Sequence, residues 1–325
     1  MENDITNNAS GGKIAGSGPV ANAATVCWLE GPACDAHQNV YFTDVRGNRV
    51  LKLATDGALS VFRGPEQANY PNGQAIDLDG QLITCEEGDP AAGTPPRLTR
   101  TNLDSGKVEV LVDNFEGKRL SGPSDVALDA AGNVYFTDGG RPFFLPPLPT
   151  EHSQFPNGFM ETTSVFRLST AGTLKQILGD GDVIWPNGIN LSPDGRTLYV
   201  VENDIAESGI RQLRSYNLDA ACNISNAHTV FDFYPGRSAD GLAVDCDGNL
   251  YVAAGLNNLR GTAETLDTKA GIHVFSPKGE RLRIIPIPED SVTNVTFGGE
   301  DLRTLFITAG KTLFTVDNDI PGQRR

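Results

Sequence analysis

Six short segments of this 325-residue chain each open with a side chain that carries oxygen, and each runs through a turn into an apolar strand. They are Glu30–Asp35, Asn72–Asp77, Ser124–Asp129, Asn187–Ser192, Asp240–Asp245 and Asn294–Gly299. Their first residues supply carboxylate, amide and hydroxyl oxygen with two formal negative charges and no permanent positive one. Brought together, such a set suits a hard divalent cation, calcium above all.

What could bring them together is the repeat that follows. The strands centred on Tyr41, Ile83, Tyr135, Tyr199, Tyr251 and Phe306 recur at intervals of 42 to 64 residues, the period of four-stranded propeller blades. The expected fold is all-β, a six-bladed β-propeller of four-stranded antiparallel blades. In that architecture the first strand of each blade lines the central channel, so equivalent positions converge on the axis however far apart they lie in sequence. Outer hairpins are expected with turns at Asp56-Gly57, Ser105-Gly106, Ala171-Gly172 and Lys278-Gly279. The sixth repeat lacks a fourth strand before the chain ends. Thr25–Trp28, just upstream of Glu30, is expected to supply it, so that an N-terminal strand closes the ring and covers a sheet edge.

A hydrophobic content of 39% over this length supports one large domain, residues 21–325, after a polar Gly/Asn-rich tail over residues 1–20 with no signal-peptide core. The 36 glycines and 20 prolines sit mostly between strands, as many tight turns require. A formal charge of −15 argues against nucleic acid and anionic membrane, and no apolar run is long enough to span a bilayer. Five cysteines without a C-x-x-C pair make neither a disulfide framework nor a zinc pattern, which favours a cytoplasmic location, or a periplasmic one if a leader has been removed. The expected partner is a small-molecule substrate, and the expected assembly a monomer or small homo-oligomer. Three insertions interrupt the repeat. Gly139–Thr163, rich in Pro and Leu and carrying Phe143 and Phe144, is expected to be a substrate lid; Asn203–Gln212 and Gly255–Ala270 would form the opposite rim.

Several chemistries are missing. There is no G-x-S-x-G elbow, no H-E-x-x-H, no P-loop and no G-x-G-x-x-G after a strand, and the four histidines neighbour no nucleophile at a repeat-equivalent position. Asp77–Gly80 and Asp245–Asn249 lack EF-hand spacing and read as turns. Taken singly, the Asn-Gly and Asp-Gly pairs of the ring also read as turn formers. Six oxygen-bearing side chains in one register are what turn chemistry alone leaves unexplained.

Almost the whole chain resembles the senescence-marker-protein, gluconolactonase and luciferin-regenerating-enzyme superfamily, and the bacterial gluconolactonases most. The likeness is carried by Leu29–Pro32, Pro71–Gly73, Cys85-Glu86, Gly117–Leu120, Asp125 with Tyr135–Asp138, Pro186–Gly188 with Ser192–Asp194, Asp240-Gly241, and Asn294 with Thr296-Phe297. The resemblance implies one divalent cation, commonly calcium, on the axis, with Glu30, Asn187 and Asp240 as ligands, Asn72 and Asn294 lining the cavity and Asp125 supporting it from behind. Two positions depart from the family pattern. Ser124 stands where Asn is usual, and Glu87 where the gluconolactonases often show His.

The leading expectation is therefore metal-dependent hydrolysis of a lactone, with Asp240 or a metal-bound water taking the proton and Asn72, Ser124 and Asn294 orienting ring oxygens. Two others stay open: the same metal site acting on a phosphotriester or in non-hydrolytic chemistry, to which the apolar Phe143 and Phe144 would suit a less polar substrate, and a non-catalytic propeller scaffold.

Overall fold

The computed structural model describes residues 27–89, 92–139, 160, 162–179 and 181–323. All regular structure among them is β. Blade one runs Leu29–Cys34, Val40–Asp44, Arg49–Leu53, Leu59–Arg63; blade two Pro71–Ile76, Leu82–Glu86, Arg97–Thr101, Val108–Val112; blade three Pro123–Leu128, Val134–Asp138, Ser164–Leu168, Leu174–Leu178. Blade four runs Pro186–Leu191, Thr197–Asn203, Arg211–Leu218, Ile224–Asp232; blade five Ala239–Val244, Leu250–Ala254, Gly271–Phe275, Arg281–Pro286; blade six Val292–Gly298, Thr304–Ala309, Thr312–Asp317. Every blade is an antiparallel meander in sequence order, and a small hairpin, Asn114–Phe115 with Lys118–Arg119, follows blade two. The six-bladed propeller expected from the repeat is the fold, and each residue on which the repeat is centred lies in the second strand of its blade.

The core lies between blades, which is why the inner strands are continuous apolar runs and the outermost strands are mostly exposed. Ala127, Tyr135 and Val165 of blade three pack with Ile189, Leu198 and Tyr216 of blade four. Tyr199, Val201 and Leu213 of blade four pack in turn with Leu242, Leu250 and Val252 of blade five. Each such Val or Leu contributes roughly 1.5–3 kcal/mol on burial, so the ring is held by side-by-side contact around its circumference.

Blade one closes on blade six through the Leu29 amide, which donates to the Gly310 carbonyl at 2.9 Å, and through Thr293 Oγ1, which donates to the Leu29 carbonyl at 2.7 Å. Of the expected closing strand, Thr25 and Val26 lie outside the described residues, and Cys27 and Trp28 belong to no strand, so blade six has three strands among the described residues. The N-terminal tail, Phe143 and Phe144 also lie outside them. At the far end of the channel the C-terminal segment ties three blades together. Gly322 bridges to Asp245 and donates to the Leu302 carbonyl, and Gln323 Nε2 donates to the Leu191 carbonyl at 3.1 Å. Among the described residues no helix is long and apolar enough to cross a membrane.

Candidate functional site

The six oxygen-bearing residues sit near the start of the six inner strands, and the ladder to the second strand breaks beside them in every blade. Register shifts occur between Glu30 and Ala33, Pro71 and Gln74, Pro123 and Val126, Pro186 and Ile189, Ala239 and Leu242, and Val292 and Asn294. A bulge leaves a residue unpaired and re-aims its side chain, which is how strand ends are turned toward a site. The Asn-Gly and Asp-Gly pairs therefore lie in bulged strands, not in the turns that their composition suggested. Their glycines serve close approach between neighbours. A Cβ on Gly188 would stand 2.2 Å from the Asp240 carbonyl oxygen, and one on Gly241 would stand 2.1 Å from the Asn294 side chain.

Threonines of the second strands of blades one and three each bond the backbone of the ring residue in the next blade. Thr43 Oγ1 donates to the Asn72 carbonyl at 3.0 Å and Thr137 Oγ1 to the Asn187 carbonyl at 2.6 Å. Glu30, Asp125, Asp240 and Asn294 are buried, while Asn72, Ser124 and Asn187 are half-buried. Ser124 Oγ donates to Asn187 Oδ1 at 3.1 Å, and Asn72 Nδ2 donates to Glu87 Oε1 at 2.6 Å. Because a carboxylate can only accept, Glu87 fixes the Asn72 amide with its nitrogen turned away and its oxygen available.

Three carboxylates from three blades feel one another. Burial, then the charges of Asp240 and Asp125, push the Glu30 carboxyl well above its ordinary pKa. Burial also raises Asp125, to about 7, against the pull of the Val126 amide and of the Asn294 side chain, which reaches it from the opposite blade. Asp240 is raised by burial too, although Arg237 opposes the shift. The ring thus holds three carboxyls that resist ionising together.

Asp240 carries a partner that sequence reasoning missed. Arg237 Nη2 donates to Asp240 Oδ2 at 2.5 Å, and the Arg237 side chain is only 2% exposed. Behind it, Arg260 and Glu264 from the loop over residues 255–270 are paired at 2.6 Å, so that insertion does reach this mouth of the channel. The one signal for Arg237 in the sequence is its place three residues before a ring member, and nothing local says that it points inward.

No three Asp, Glu, His or Cys side chains among the described residues form a metal cage by themselves. A cation at the ring would draw on amide oxygen as well: Glu30 and Asp240 carboxylates with Asn187 Oδ1, all hard donors. Mutual repulsion among Glu30, Asp125 and Asp240 is the condition that a divalent cation relieves. The residues present fit such an ion.

The axial cavity of about 600 Å³ lies on the far side of this ring, lined by Gln74, Asn190, Val244 and Phe297. Asp125 and Asn294 line it as well, whereas Glu30, Asn187 and Asp240 do not. Asp125 and Asn294 therefore face the channel beneath the ring.

A protein of Zymomonas mobilis named gluconolactonase is 30% identical over 315 residues, covering 90% of this chain and 79% of its own. The diisopropyl-fluorophosphatase of Loligo vulgaris is 26% identical, covering 86% and 84%. The solved structure of a gluconolactonase from Xanthomonas campestris superposes with a TM-score of 0.71 at 28% identity, covering 91% of this chain and 87% of its own. The family model described as SMP-30/Gluconolactonase/LRE-like region matches residues 28–311, and the chain belongs to that family.

Proposed function

We propose that this protein hydrolyses lactones with the help of one divalent cation, calcium by preference of its oxygen donors, held at the ring by Glu30, Asn187 and Asp240. The observation that carries the reading is the meeting of buried carboxylates from blades one, three and five with amide oxygens at one bulged register. Its relatives named gluconolactonase support the same substrate class. A bound cation supplies Lewis-acid polarisation of the lactone carbonyl oxygen.

The chain's own groups do the rest. Asp240, with Oδ2 held by Arg237, faces the cation with one lone pair of Oδ1 and keeps the other to accept the proton of the attacking water as the water oxygen bonds to the carbonyl carbon. The C–O bond to the ring oxygen then breaks, that oxygen takes up a proton, and a hydroxy acid is released. Asn72 Oδ1, freed by the grip of Glu87 on its nitrogen, accepts from a substrate hydroxyl, Asn294 orients the lactone ring oxygen, and Ser124 steadies the Asn187 amide oxygen. Burial of the site keeps competing water away and strengthens each of these contacts.

Asp240→Asn is the test. The variant should fold and lose about 10²-fold or more in kcat on a sugar lactone, followed by proton release, and chelator should silence the parent; parental rates in Asp240→Asn end the proposal. The likeness to a fluorophosphatase favours one second reading, the same site acting on an organophosphorus ester. Comparing a sugar lactone, an aromatic lactone and a phosphotriester as substrates separates the two.

A further inference from the structure

Arg237 enters the ring from the turn that precedes blade five and spans the seam to blade six. Nη2 holds Asp240 Oδ2 at 2.5 Å, Nη1 donates to the Val292 carbonyl at 2.9 Å, and Nε has no hydrogen-bond partner among the described residues. Arg260 stands close enough for the two guanidiniums to repel, and is itself fixed by Glu264 and by Ser291 Oγ at 3.2 Å. A guanidinium buried to this degree, with one arm anchored on the Val292 carbonyl, fixes which oxygen of the carboxylate the other arm occupies.

We infer that Arg237 is a positioning residue that restricts Asp240 to a single coordinating oxygen and so narrows the ring's preference for calcium over magnesium, an inference that rests on the metal-dependent reading above. Calcium takes about 6–8 oxygens at roughly 2.3–2.6 Å and accepts both oxygens of one carboxylate, whereas magnesium wants about six near-octahedral oxygens at roughly 2.0–2.1 Å and takes one oxygen per carboxylate. The other two ligands are similarly committed. Asn187 Oδ1 already accepts from Ser124, and the Glu30 oxygens accept from the Gly31 amide at 3.3 Å and from Trp28 Nε1 at 3.4 Å. With one oxygen of Asp240 taken by a charged partner, the ring forgoes at this side chain the bidentate grip from which the larger ion gains most. The guanidinium charge also weakens the attraction for any cation at short range.

The experiment uses the full chain, freed of metal with chelator and titrated calorimetrically with calcium and with magnesium. Arg237→Met releases Asp240 Oδ2. It should tighten calcium by about tenfold or more and magnesium much less, because only the larger ion uses the second oxygen. Arg237→Lys keeps a charge but loses the fork, and should shift the calcium-to-magnesium ratio in the same direction by a smaller factor; it carries the test if circular dichroism shows that Arg237→Met does not fold. An unchanged ratio in the folded variants, or weaker calcium binding, overturns the inference and leaves the metal-dependent reading standing. Binding of neither ion by the parent or by either variant sinks both. Calcium binding that appears only when Arg237 is replaced supports the inference and counts against calcium as the ion of the parent ring.

Discussion

Ser124 gives its hydroxyl to Asn187 Oδ1 at 3.1 Å, so the ring member from blade three serves the one from blade four. Where an Asn would offer its own amide oxygen to the centre, this shorter side chain steadies a neighbour instead. Ser124→Ala should leave Asn187 free to rotate and weaken the cation by about 3–10-fold, in keeping with a net hydrogen bond of about 1 kcal/mol. Ser124→Thr, which keeps the hydroxyl, should restore most of it. Titration calorimetry reads the affinity, and a melt within a few degrees of the parent excludes general damage.

Asp125 predicts an inverted pH dependence for the metal-free protein. Burial raises its carboxyl to about 7 in the folded state, against about 3.9 in an unfolded chain. The folded form holds the extra proton between these values, so the stability that this group contributes is present in full below about pH 4 and is lost as pH rises toward 7, at up to about 1.4 kcal/mol per pH unit. Urea unfolding of chelator-treated protein at several pH values should show this slope in the parent and a shallower one in Asp125→Asn. Equal slopes in the two proteins contradict it.

The two glycines at the ring should fail in different ways. At Gly188 the obstacle is the backbone carbonyl of Asp240, 2.2 Å from a new Cβ, and Gly188→Ala must push two inner strands apart. A loss of about 1–3 kcal/mol is expected, as for other overpacked sites. At Gly241 the obstacle is the side chain of Asn294, which can swing away. Gly241→Ala should cost less stability but break the Asn294 contact with Asp125, lowering activity more than the unfolding midpoint. Denaturant midpoints beside lactone turnover distinguish the two.

Glu86, next to Cys85 in one of the family-like motifs, works outside the ring. It is fully buried and joins Arg63 at the end of blade one to Arg97 in blade two, with Thr99 Oγ1 donating to it at 3.0 Å. Arg63→Met strands much of that charge and should cost about 3–5 kcal/mol. Arg63→Met with Glu86→Leu should recover at least half of the loss, because the uncompensated carboxylate is then gone. A double variant no more stable than the single one contradicts this account, and urea midpoints decide it.

Legibility of the sequence followed the range of the interactions. Strand, turn and repeat depend on alternation and on turn residues within about ten positions, so the blades around Tyr41, Tyr135, Tyr199 and Tyr251 could be read directly, and register carried Glu30, Asn72, Ser124, Asn187, Asp240 and Asn294 to one ring. Three things could not be read. The bulges that aim those side chains are set by packing against the next blade. The pairings of Asp240 with Arg237, Asn72 with Glu87 and Asp125 with Asn294 depend on which way side chains turn once the circle is closed. The cavity is lined by residues further along the inner strands, such as Gln74, Asn190 and Val244, and not by Glu30, Asn187 or Asp240. Local chemistry determined which oxygens could assemble; only closure of the ring decided which charges meet, because electrostatic partners are chosen by distance in space and carry no mark in the order of residues.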